Sequence, residues 1–541
     1  MRIALYGLPC AGKTTILSSL ENICIVNGSA ELNKMSNGCF KSLSEEEKNH
    51  LRIEYIRYLK SIEDDVVISD GHYSFLDNVV FTEDDAQAYD VFLYFYCSAE
   101  TLSNRYADSE KNKKYTELSM TRIEQWQSFE IESLRSECHR NDKDFYVING
   151  EEITPTQFAD FIEKIKGGYS SYKLAEELVC KIRSTYPEPC RLSLVDGDKT
   201  LISQDSFRVC SNGYKTKTFD GDFYTGYQSL VFAAEEKNVN YDYSLLSRIE
   251  VNKHVYTRIQ NDPYFVISAG ITKLWEELAK IHGFRNVIAD PLISADTKFY
   301  IVKMLKQLGY IVVAYGDSKN DLYMLHAADE GFLCTASSLS RSLRGADTRN
   351  LRLLYDKSPI ILDHSFNASE IKEEVAICKS NSGINGSRLA AAHFSLGKKI
   401  GTEISKVIPS DDAAVLVLER GGRFFGDGVY MNFGGRFFPC NPSKEPLPSI
   451  DASVIVIVDS VINTGKSLLE VVNQLRIANP LSEIIIVSNV IQEKAVPILQ
   501  DYKVFTVRIS SNSFKGKNQA TQIGNTGPDT ADRLFNLIKQ L

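Results

Sequence analysis

The sequence predicts an α/β protein with three parallel-sheet domains. Three apolar segments of strand length each run directly into a short glycine- or aspartate-rich turn: GLPCAGKT at 7–14, VDGDKT at 195–200 and VDSVINTGKS at 458–467. In a parallel sheet a buried strand passes through such a turn into a helix, and the backbone amides of the turn are placed to bind phosphate. Because the three turns are far apart in the chain, each predicts a sheet of its own.

Length and composition agree with three domains of a soluble protein. The 541 residues fit that number at about 100–200 residues per domain. The net charge of −9 and the isoelectric point of about 5.6 favour small-molecule ligands over nucleic acid. The 11 cysteines show neither CxxC nor zinc-like spacing, and the longest apolar runs have only strand length. We therefore expect a reduced, cytoplasmic protein without a membrane anchor.

Two breaks in composition predict the domain boundaries. The segments KGGYSS at 166–171 and YDKSP at 355–359 are rich in turn-forming residues, and each precedes a new helical or apolar segment. The predicted domains are therefore residues 1–167, 168–356 and 357–541.

The first turn satisfies the complete phosphate-loop pattern GxxxxGKT. It follows the predicted strand 2–6 and opens a helix, which is the order that the motif requires. The lysine brings a mobile positive charge to the β- and γ-phosphates, and the hydroxyl group after it is a ligand for Mg2+. The residues predicted to bind ATP and its metal are Gly7, Gly12, Lys13, Thr14 and Thr15.

Two further positions carry charge to the same site. Asp70 ends the apolar segment 65–69, where its carboxylate can hold the water shell of the metal, accept a proton from a substrate hydroxyl, or merely cap the strand. Arg105 follows the strand-like segment 92–96 and, with Arg122, is a candidate to meet the transferred phosphoryl group. The domain resembles the adenylate-kinase-like P-loop kinases, which implies ATP as the phosphate donor and leaves the acceptor open.

The second turn is the first of four segments in the middle domain. DGDKT at 196–200 is followed by Ser268 at the end of a strand, Lys298 at the start of a helix, and GDSKND at 316–321. These four segments, in this order, resemble the motifs of the haloacid-dehalogenase (HAD) phosphatases. We therefore expect hydrolysis of a phosphate monoester in this domain.

The resemblance assigns a role to each of these side chains. Asp196 is the nucleophile that forms an aspartyl-phosphate, and Asp198, two residues on in an extended segment, is the general acid and base. Ser268 and Lys298 hold the phosphoryl oxygens. Mg2+ is needed because the attacking carboxylate and the phosphoryl group are both negative. Its predicted ligands are Asp196, Asp198, Asp317 and Asp321.

The stretch between the first two of these segments is long enough for an inserted cap. The family places a helical cap here, which we assign to residues 201–262. A cap that closes over the site favours small phosphorylated substrates over polymer ends. Four aromatic side chains in the cap either set substrate choice or form the core of the cap: Phe219, Phe223, Tyr224 and Tyr227.

The third turn resembles the phosphoribosyl-pyrophosphate (PRPP) loop of the phosphoribosyltransferases. Asp459, at the end of the apolar strand 454–458, is placed to meet the ribose hydroxyls. A single acid here, where the usual loop has two, is shared with the uracil branch of that family. The backbone amides that follow can cradle a 5′-phosphate. The residues concerned are Asn463, Thr464, Gly465, Lys466 and Ser467.

Two other segments resemble the uracil branch. LERGG at 418–422 contains Arg420, which by that resemblance binds pyrophosphate. GPDTADRLF at 527–535 contains Asp529, placed near the ribose and the metal. The backbone at 523–527, including Gly527, is expected to read the edge of the base.

Departures from the family pattern bear on the identity of the base. Glu419 and Pro528 differ from the uracil branch, so a modified pyrimidine stays open. Members of the family use Mg2+ and PRPP and commonly oligomerise, which implies a possible homo-oligomer through this domain.

Together the resemblances imply three Rossmann-like domains: a P-loop kinase, a HAD phosphatase with a helical cap, and a phosphoribosyltransferase. This combination predicts a trifunctional enzyme of nucleotide salvage or modification that acts on nucleobases, nucleosides or nucleotides. Two alternatives stay open. One is repair of nucleic-acid ends, because polynucleotide kinase-phosphatases also join a P-loop kinase to a HAD phosphatase. The other is a regulator that senses PRPP or a nucleotide with a non-catalytic C-terminal domain.

Overall fold

Three separate parallel sheets organise the chain, which confirms the predicted α/β class. A computed structural model describes residues 1–335, 340–343, 346–348, 351–355, 359–364, 368–480, 482–499, 502–511 and 529–537. Within these residues the sheets contain five, six and six strands. The predicted boundary at 356/357 and the predicted base-reading segment 523–527, with Gly527, lie outside the described residues.

The first unit contains the phosphate loop. Its strands are β1 (Arg2–Tyr6), β2 (Cys24–Asn27), β3 (Val67–Asp70), the short hairpin β4 (Ser74–Phe75) and β5 (Asn78–Val79), β6 (Val91–Tyr96) and β7 (Asp144–Asn149). Its helices are α1 (Lys13–Leu17), α2 (Gly28–Met35), α3 (Glu45–Ser61), α4 (Glu83–Ala88), α5 (Ala99–Asp108), α6 (Met120–Asn141) and α7 (Pro155–Lys166). The parallel sheet has the order β2-β3-β1-β6-β7, so the strand that enters the phosphate loop is central.

The second unit has the order β10-β9-β8-β11-β12-β13. Its strands are β8 (Arg191–Val195), β9 (Tyr264–Ser268), β10 (Val287–Ala289), β11 (Ile311–Gly316), β12 (Glu330–Thr335) and β13 (Arg352–Tyr355). Its helices are α8 (Ser171–Thr185), α9 (Ser206–Cys210), α10 (Gly226–Glu235), α11 (Lys253–Ile259), α12 (Thr272–His282), α13 (Ala295–Gln307) and α14 (Lys319–Ala327). Helices α9 to α11 lie within the predicted cap.

The third unit has the order β14-β19-β18-β17-β15-β16. Its strands are β14 (Ile360–Ile361), β15 (Ala413–Leu418), β16 (Arg436–Cys440), β17 (Val454–Ile462), β18 (Glu483–Gln492) and β19 (Lys503–Ser510). Its helices are α15 (Lys372–Cys378), α16 (Gly386–Ile404), α17 (Arg423–Phe433), α18 (Lys466–Ala478) and α19 (Thr530–Leu534).

Hydrophobic patterning explains these elements. Central strands such as β15, with the sequence AAVLVL, are buried along their whole length because helices cover both faces of a parallel sheet. Surface helices bury a single stripe instead. In α7, for example, the buried residues recur at the helical period and are Phe158, Phe161, Ile162 and Ile165.

The cap segment joins the second unit to the first. Thr225 Oγ1 accepts a hydrogen bond from the Val147 N–H at 3.2 Å, and Gln228 Nε2 donates to the Val147 carbonyl at 2.8 Å. Val147 lies on the edge strand β7, so these two side chains satisfy backbone groups that the sheet leaves unpaired. Phe223 packs edge-on against Tyr96, with ring centroids 4.9 Å apart. The cap is therefore fastened to the first unit.

Helix α6, at 22 residues the longest described helix, is not apolar enough to cross a membrane. No other helix in the described part of the chain is both long and apolar enough to do so.

Candidate active sites

The phosphate loop encloses the ammonium group of Lys13. Gly7 and Gly12 have φ angles of 148° and 105°, which residues with side chains rarely adopt. A Cβ atom on Gly7 would lie 2.6 Å from the carbonyl oxygen of Phe95, so the loop can pass β6 only with glycine there. Lys13 Nζ donates to the Gly7 carbonyl at 2.8 Å. Burial lowers the pKa of Lys13, and the nearby Asp70 charge opposes that shift.

Three side chains predicted from separate segments meet beside Lys13. Thr14 Oγ1 donates to Asp70 Oδ2 at 3.1 Å, and Lys13 Nζ lies 3.9 Å from Asp70 Oδ1. Arg105 donates to two carbonyl oxygens of the loop at 3.0 and 2.9 Å. All of them, with Thr15, line one cavity of about 1580 Å³. Arg122, by contrast, is absent from the described lining of this cavity and pairs with Asp77.

The second site is built around one buried ammonium group. Lys298, on α13, is fully buried, and its Nζ donates to Asp196 Oδ1 at 2.6 Å and to Asp321 Oδ1 at 2.7 Å. Asp196 follows β8, and Asp321 lies in the first turn of α14, so three elements meet at this lysine. The other oxygen of Asp321 accepts from the backbone N–H groups of Asp317 and Ser318, at 3.2 and 3.3 Å, which fixes the start of α14.

Three carboxylates form a cluster beside this ammonium group. Oxygen atoms of Asp196, Asp317 and Asp321 lie within 4.8 Å of one another. Burial, followed by the Asp321 charge, raises the pKa of Asp196 to about 7, and burial also raises the pKa of Asp317. Lys298 and Lys199, whose charge also acts on Asp317, together carry less charge than the three carboxylates. Since Mg2+ prefers carboxylate oxygens, the donor set fits the metal that the sequence predicts.

Asp198 lies beside this group of carboxylates. Its side chain accepts a hydrogen bond from the Ser206 N–H at 2.7 Å. The sequence predicts Asp198 as a fourth metal ligand, but the cluster found in the described residues contains only Asp196, Asp317 and Asp321. Burial raises the pKa of Asp198 to about 6. A carboxyl group with a pKa near neutrality suits the predicted acid–base role.

Ser268 and an unpredicted residue, Trp275, pack against Gly197 in the second site. A Cβ atom on Gly197 would lie 2.8 Å from Ser268 Oγ and 2.3 Å from a ring carbon of Trp275. Both side chains are buried, and Ser268 Oγ accepts from the Gly270 N–H at 3.0 Å. The glycine between the two aspartates of DGDKT is thus required by close packing, which the motif alone does not reveal.

The third site brings together segments that are far apart in the sequence. Arg420 donates to Asp532 Oδ1 at 2.6 Å and lies 3.8 Å from Asp529 Oδ1. Gly421 lies next to Asp459, since a Cβ atom on it would be in ordinary contact with Asp459 Oδ1 at 3.9 Å. Burial raises the pKa of Asp459 to about 7, and the Asp529 charge adds to the shift.

The loop at 463–467 opens α18. Gly465 has φ 74°, in the left-handed region, and a Cβ atom there would lie 2.8 Å from the side chain of Ile498. Asn463 Oδ1 accepts from Gln492 Nε2 at 2.8 Å, which ties the loop to β18. Backbone amides at a helix N-terminus attract phosphate, and three further loop side chains are exposed there: Thr464, Lys466 and Ser467.

Residues 443–537 match the family model of uracil phosphoribosyltransferase. This stretch contains Asp459, the loop at 463–467 and Asp529, and the third unit therefore carries a phosphoribosyltransferase-family segment. Arg420 lies outside the matched residues and reaches the site through the fold.

No curated protein matches the chain. Among solved structures, a xanthine-guanine-hypoxanthine phosphoribosyltransferase from Helicobacter pylori is 18% identical, with 22% of this chain and 82% of that chain covered and a TM-score of 0.19. A HAD-family hydrolase from Salmonella enterica serovar Typhi is 14% identical, with coverages of 31% and 69% and a TM-score of 0.21. A shikimate kinase from Bacteroides thetaiotaomicron is 17% identical, with coverages of 31% and 97% and a TM-score of 0.23.

Two polar residues near the third site serve the packing of the unit. Ser460, where the usual loop has its second acid, is fully buried and bonds to His393 Nδ1 at 2.9 Å. Arg533 is 2% exposed, and its guanidinium donates to the Ile384 carbonyl at 2.8 Å and to Ser382 Oγ at 3.1 Å. Arg533 therefore anchors α19, which keeps Asp529 beside Arg420.

The predicted cap aromatics take structural positions. Phe223 and Tyr227 pack against the first unit, on Tyr96 and Phe161 respectively. The remaining two stack on each other within the cap, with ring centroids 5.5 Å apart, and are Phe219 and Tyr224. The sequence left two roles open for these four side chains, substrate choice or the core of the cap. It did not predict that Phe223 and Tyr227 contact the first unit.

Proposed function

We propose that the chain is a trifunctional enzyme of nucleotide salvage or modification. One observation carries the proposal: in each parallel sheet, an interior strand ends at a set of side chains suited to phosphate chemistry. These strands are β1, β8 and β17, and ligands of open α/β sheets bind at the carboxyl ends of the strands. This shared position at the ends of interior strands supports the proposal of three phosphate-handling sites.

The second site supports hydrolysis of a phosphate monoester. Asp196 is the group that attacks phosphorus, which forms an aspartyl-phosphate and releases an alcohol. Asp198 donates a proton to the leaving oxygen and later takes one from the attacking water. Mg2+, held by Asp196, Asp317 and Asp321, would offset the negative charge of the phosphoryl group. Lys298 contributes a fixed positive charge on the side away from solvent.

The third site supports transfer of a phosphoribosyl group to a pyrimidine-like base. The reaction develops positive charge on the ribose and negative charge on the leaving pyrophosphate. Asp459 is the anion placed to face the ribose, and Arg420 is the cation placed to face pyrophosphate. The backbone amides of the loop at 463–467 would hold the 5′-phosphate.

The first site supports transfer of a phosphoryl group from ATP to a small nucleoside- or nucleotide-like acceptor. Lys13 and the loop amides bind the phosphates of ATP, and Thr14 is placed to hold the metal. Asp70 lies within hydrogen-bond reach of Thr14, so its carboxylate can orient a metal-bound water or accept a proton from an acceptor hydroxyl.

Release of pyrophosphate from PRPP tests the transferase directly. The full chain is assayed with Mg2+ and a panel of uracil-like and purine bases, beside the Asp459→Asn variant. We expect pyrophosphate release that depends on one class of base and is lost in the variant. Binding of PRPP without turnover on any base would instead favour a PRPP-sensing regulator.

A further inference from the structure

Helix α13 lies between the second site and the first unit. One face carries Lys298 into the second site, and the neighbouring residues Ile301 and Leu305 are buried in the core of the same unit. The opposite face contacts the C-terminal half of α6, which belongs to the first unit. The residues on that face recur at the helical period and are Asp296, Phe299, Tyr300 and Lys303.

Asp296 forms the centre of this contact. It is 1% exposed, and its Oδ1 accepts from His139 Nε2 at 2.8 Å and lies 3.3 Å from Arg135 Nε. Both partners come from α6 and are themselves buried, at 7% and 1% exposure. A buried carboxylate without a partner is strongly unfavourable, so this contact holds the first turn of α13 in one position relative to α6.

The same arginine also reaches the cap and α14. Arg135 donates to the carbonyl oxygen of Phe223 in the cap at 2.6 Å and to the hydroxyl of Tyr323 on α14 at 2.9 Å. Asp321, the carboxylate paired with Lys298, lies two residues before Tyr323 on that helix. One side chain of the first unit therefore contacts three segments of the second unit, namely α13, α14 and the cap.

A further stack and hydrogen bond fix the angle of α13. The His139 ring stacks on Phe299, with ring centroids 3.8 Å apart and planes 11° from parallel. Tyr300 donates to the Lys143 carbonyl at 2.6 Å. Lys298 lies in the same turn as Asp296, so a shift of this turn would move its Nζ relative to Asp196.

We propose that Arg135 and His139 are positioning residues for the hydrolysis at Asp196. They contact neither the phosphoryl group nor the reacting carboxylate. Instead, they act through Asp296 to place the Lys298 ammonium group. The proposal rests on the proposed phosphatase activity of the second unit. The first unit thus helps to hold the active site of the second unit, although no sequence motif of the first unit indicates that role.

Hydrolysis of p-nitrophenyl phosphate by the full chain with Mg2+ tests this proposal. We expect Asp296→Ala to lower kcat by about 10- to 100-fold per folded molecule, with a smaller change in KM. Asp296→Asn keeps the acceptor oxygen, so we expect its kcat to stay within about threefold of wild type even if its melting temperature falls. The matched control is Arg140→Met on the exposed side of α6. The Arg140 guanidinium pairs with Glu137 on the same helix, and the substitution leaves the backbone carbonyl that accepts from Lys303 in place, so kcat should not change.

A second variant keeps the test decisive if Asp296→Ala does not fold. His139→Phe preserves the ring stack on Phe299 and removes the hydrogen bond to Asp296, and we expect its kcat to fall by about 3- to 10-fold. Wild-type kcat in either folded variant would overturn the positioning role, and so would equal losses in Asp296→Ala and Asp296→Asn. Lys298→Met separates the two proposals, because undiminished hydrolysis in that variant would refute the phosphatase site itself.

Discussion

The second and third sites differ in how their charges are held before a ligand binds. Lys298 is fully buried and contacts two carboxylates at 2.6 and 2.7 Å. Arg420, the cation of the third site, has a side chain 48% exposed and pairs with Asp532 at the surface. The fold thus fixes the cation of the proposed phosphatase site before a ligand binds. In the proposed transferase site, by contrast, a substrate can displace Asp532 from Arg420.

This difference predicts different costs of substitution. Removing one partner of a buried ion pair leaves an uncompensated charge, so such changes affect folding as well as activity. Exposed pairs contribute about 0–1 kcal/mol to stability, so their loss should appear in activity alone. Buried and exposed charges should therefore respond differently to substitution and to the metal ion.

Asp196→Asn should abolish phosphatase activity. The amide is isosteric but cannot form an aspartyl-phosphate, so we expect kcat to fall by about 1000-fold or more. Hydrolysis of p-nitrophenyl phosphate with Mg2+ measures the effect. Asp262→Asn, a change at an exposed carboxylate of the same unit, is the control and should leave kcat unaltered. Substantial turnover in Asp196→Asn would mean that another group attacks phosphorus.

Asp459→Asn should lower base-dependent release of pyrophosphate by about 100-fold, because the variant lacks the anion that faces the ribose. Its melting temperature should stay close to that of wild type, since burial disfavours the charged form that the variant removes. Glu470→Gln, an exposed change on α18, provides the control. Equal activity in all three proteins would exclude Asp459 from the reaction.

Two arginines of the third unit should separate activity from stability. Arg420→Met should lower pyrophosphate release by about 10-fold and change the free energy of unfolding by less than about 1 kcal/mol. Arg533→Met should lower the free energy of unfolding by about 2–4 kcal/mol, because buried acceptors lose their donor. Urea denaturation and steady-state kinetics on both variants check the pair. A large loss of stability in Arg420→Met, together with a stable Arg533→Met, would contradict the contrast between exposed and buried cations.

Mg2+ should stabilise the second unit in the absence of substrate. At a concentration tenfold above its dissociation constant, the ion should add about 1.4 kcal/mol, which corresponds to a shift of about 3–6 °C in the melting temperature of a unit of this size. Thermal unfolding with and without the ion measures the shift. Asp317→Asn should reduce it, and a shift that is equally large in that variant would place the ion elsewhere.

Much of each site could be predicted from local sequence. A strand, a glycine turn and a helix are contiguous in the chain, so the positions of Lys13, Asp196 and Asp459 follow from short segments. The motifs follow one another along the chain in the order of a known family. That order also predicted that Lys298 and Asp321 lie close to Asp196. The three-sheet architecture followed from the same segments.

Contacts between units could not be predicted in this way. Arg135 and Asp296 are 161 positions apart, and each occurs in a helix whose pattern is explained without the other. Phe223 and Tyr227 were expected to serve the cap, because sequence patterns show that a side chain is apolar but not which surface covers it.

Within the second unit, the motif grouped Asp198 with the metal ligands. In the structure its side chain accepts a hydrogen bond at the N-terminus of α9 instead.

Trapping of a covalent phosphoenzyme tests the assembled phosphatase site most directly. The full chain is mixed with p-nitrophenyl phosphate and Mg2+, quenched in acid within the first turnovers, digested and analysed by mass spectrometry. We predict one phosphoryl group on the peptide that contains Asp196, and its absence in Asp196→Asn. Turnover without any phosphorylated peptide, or with the phosphoryl group on a different residue, would contradict the account.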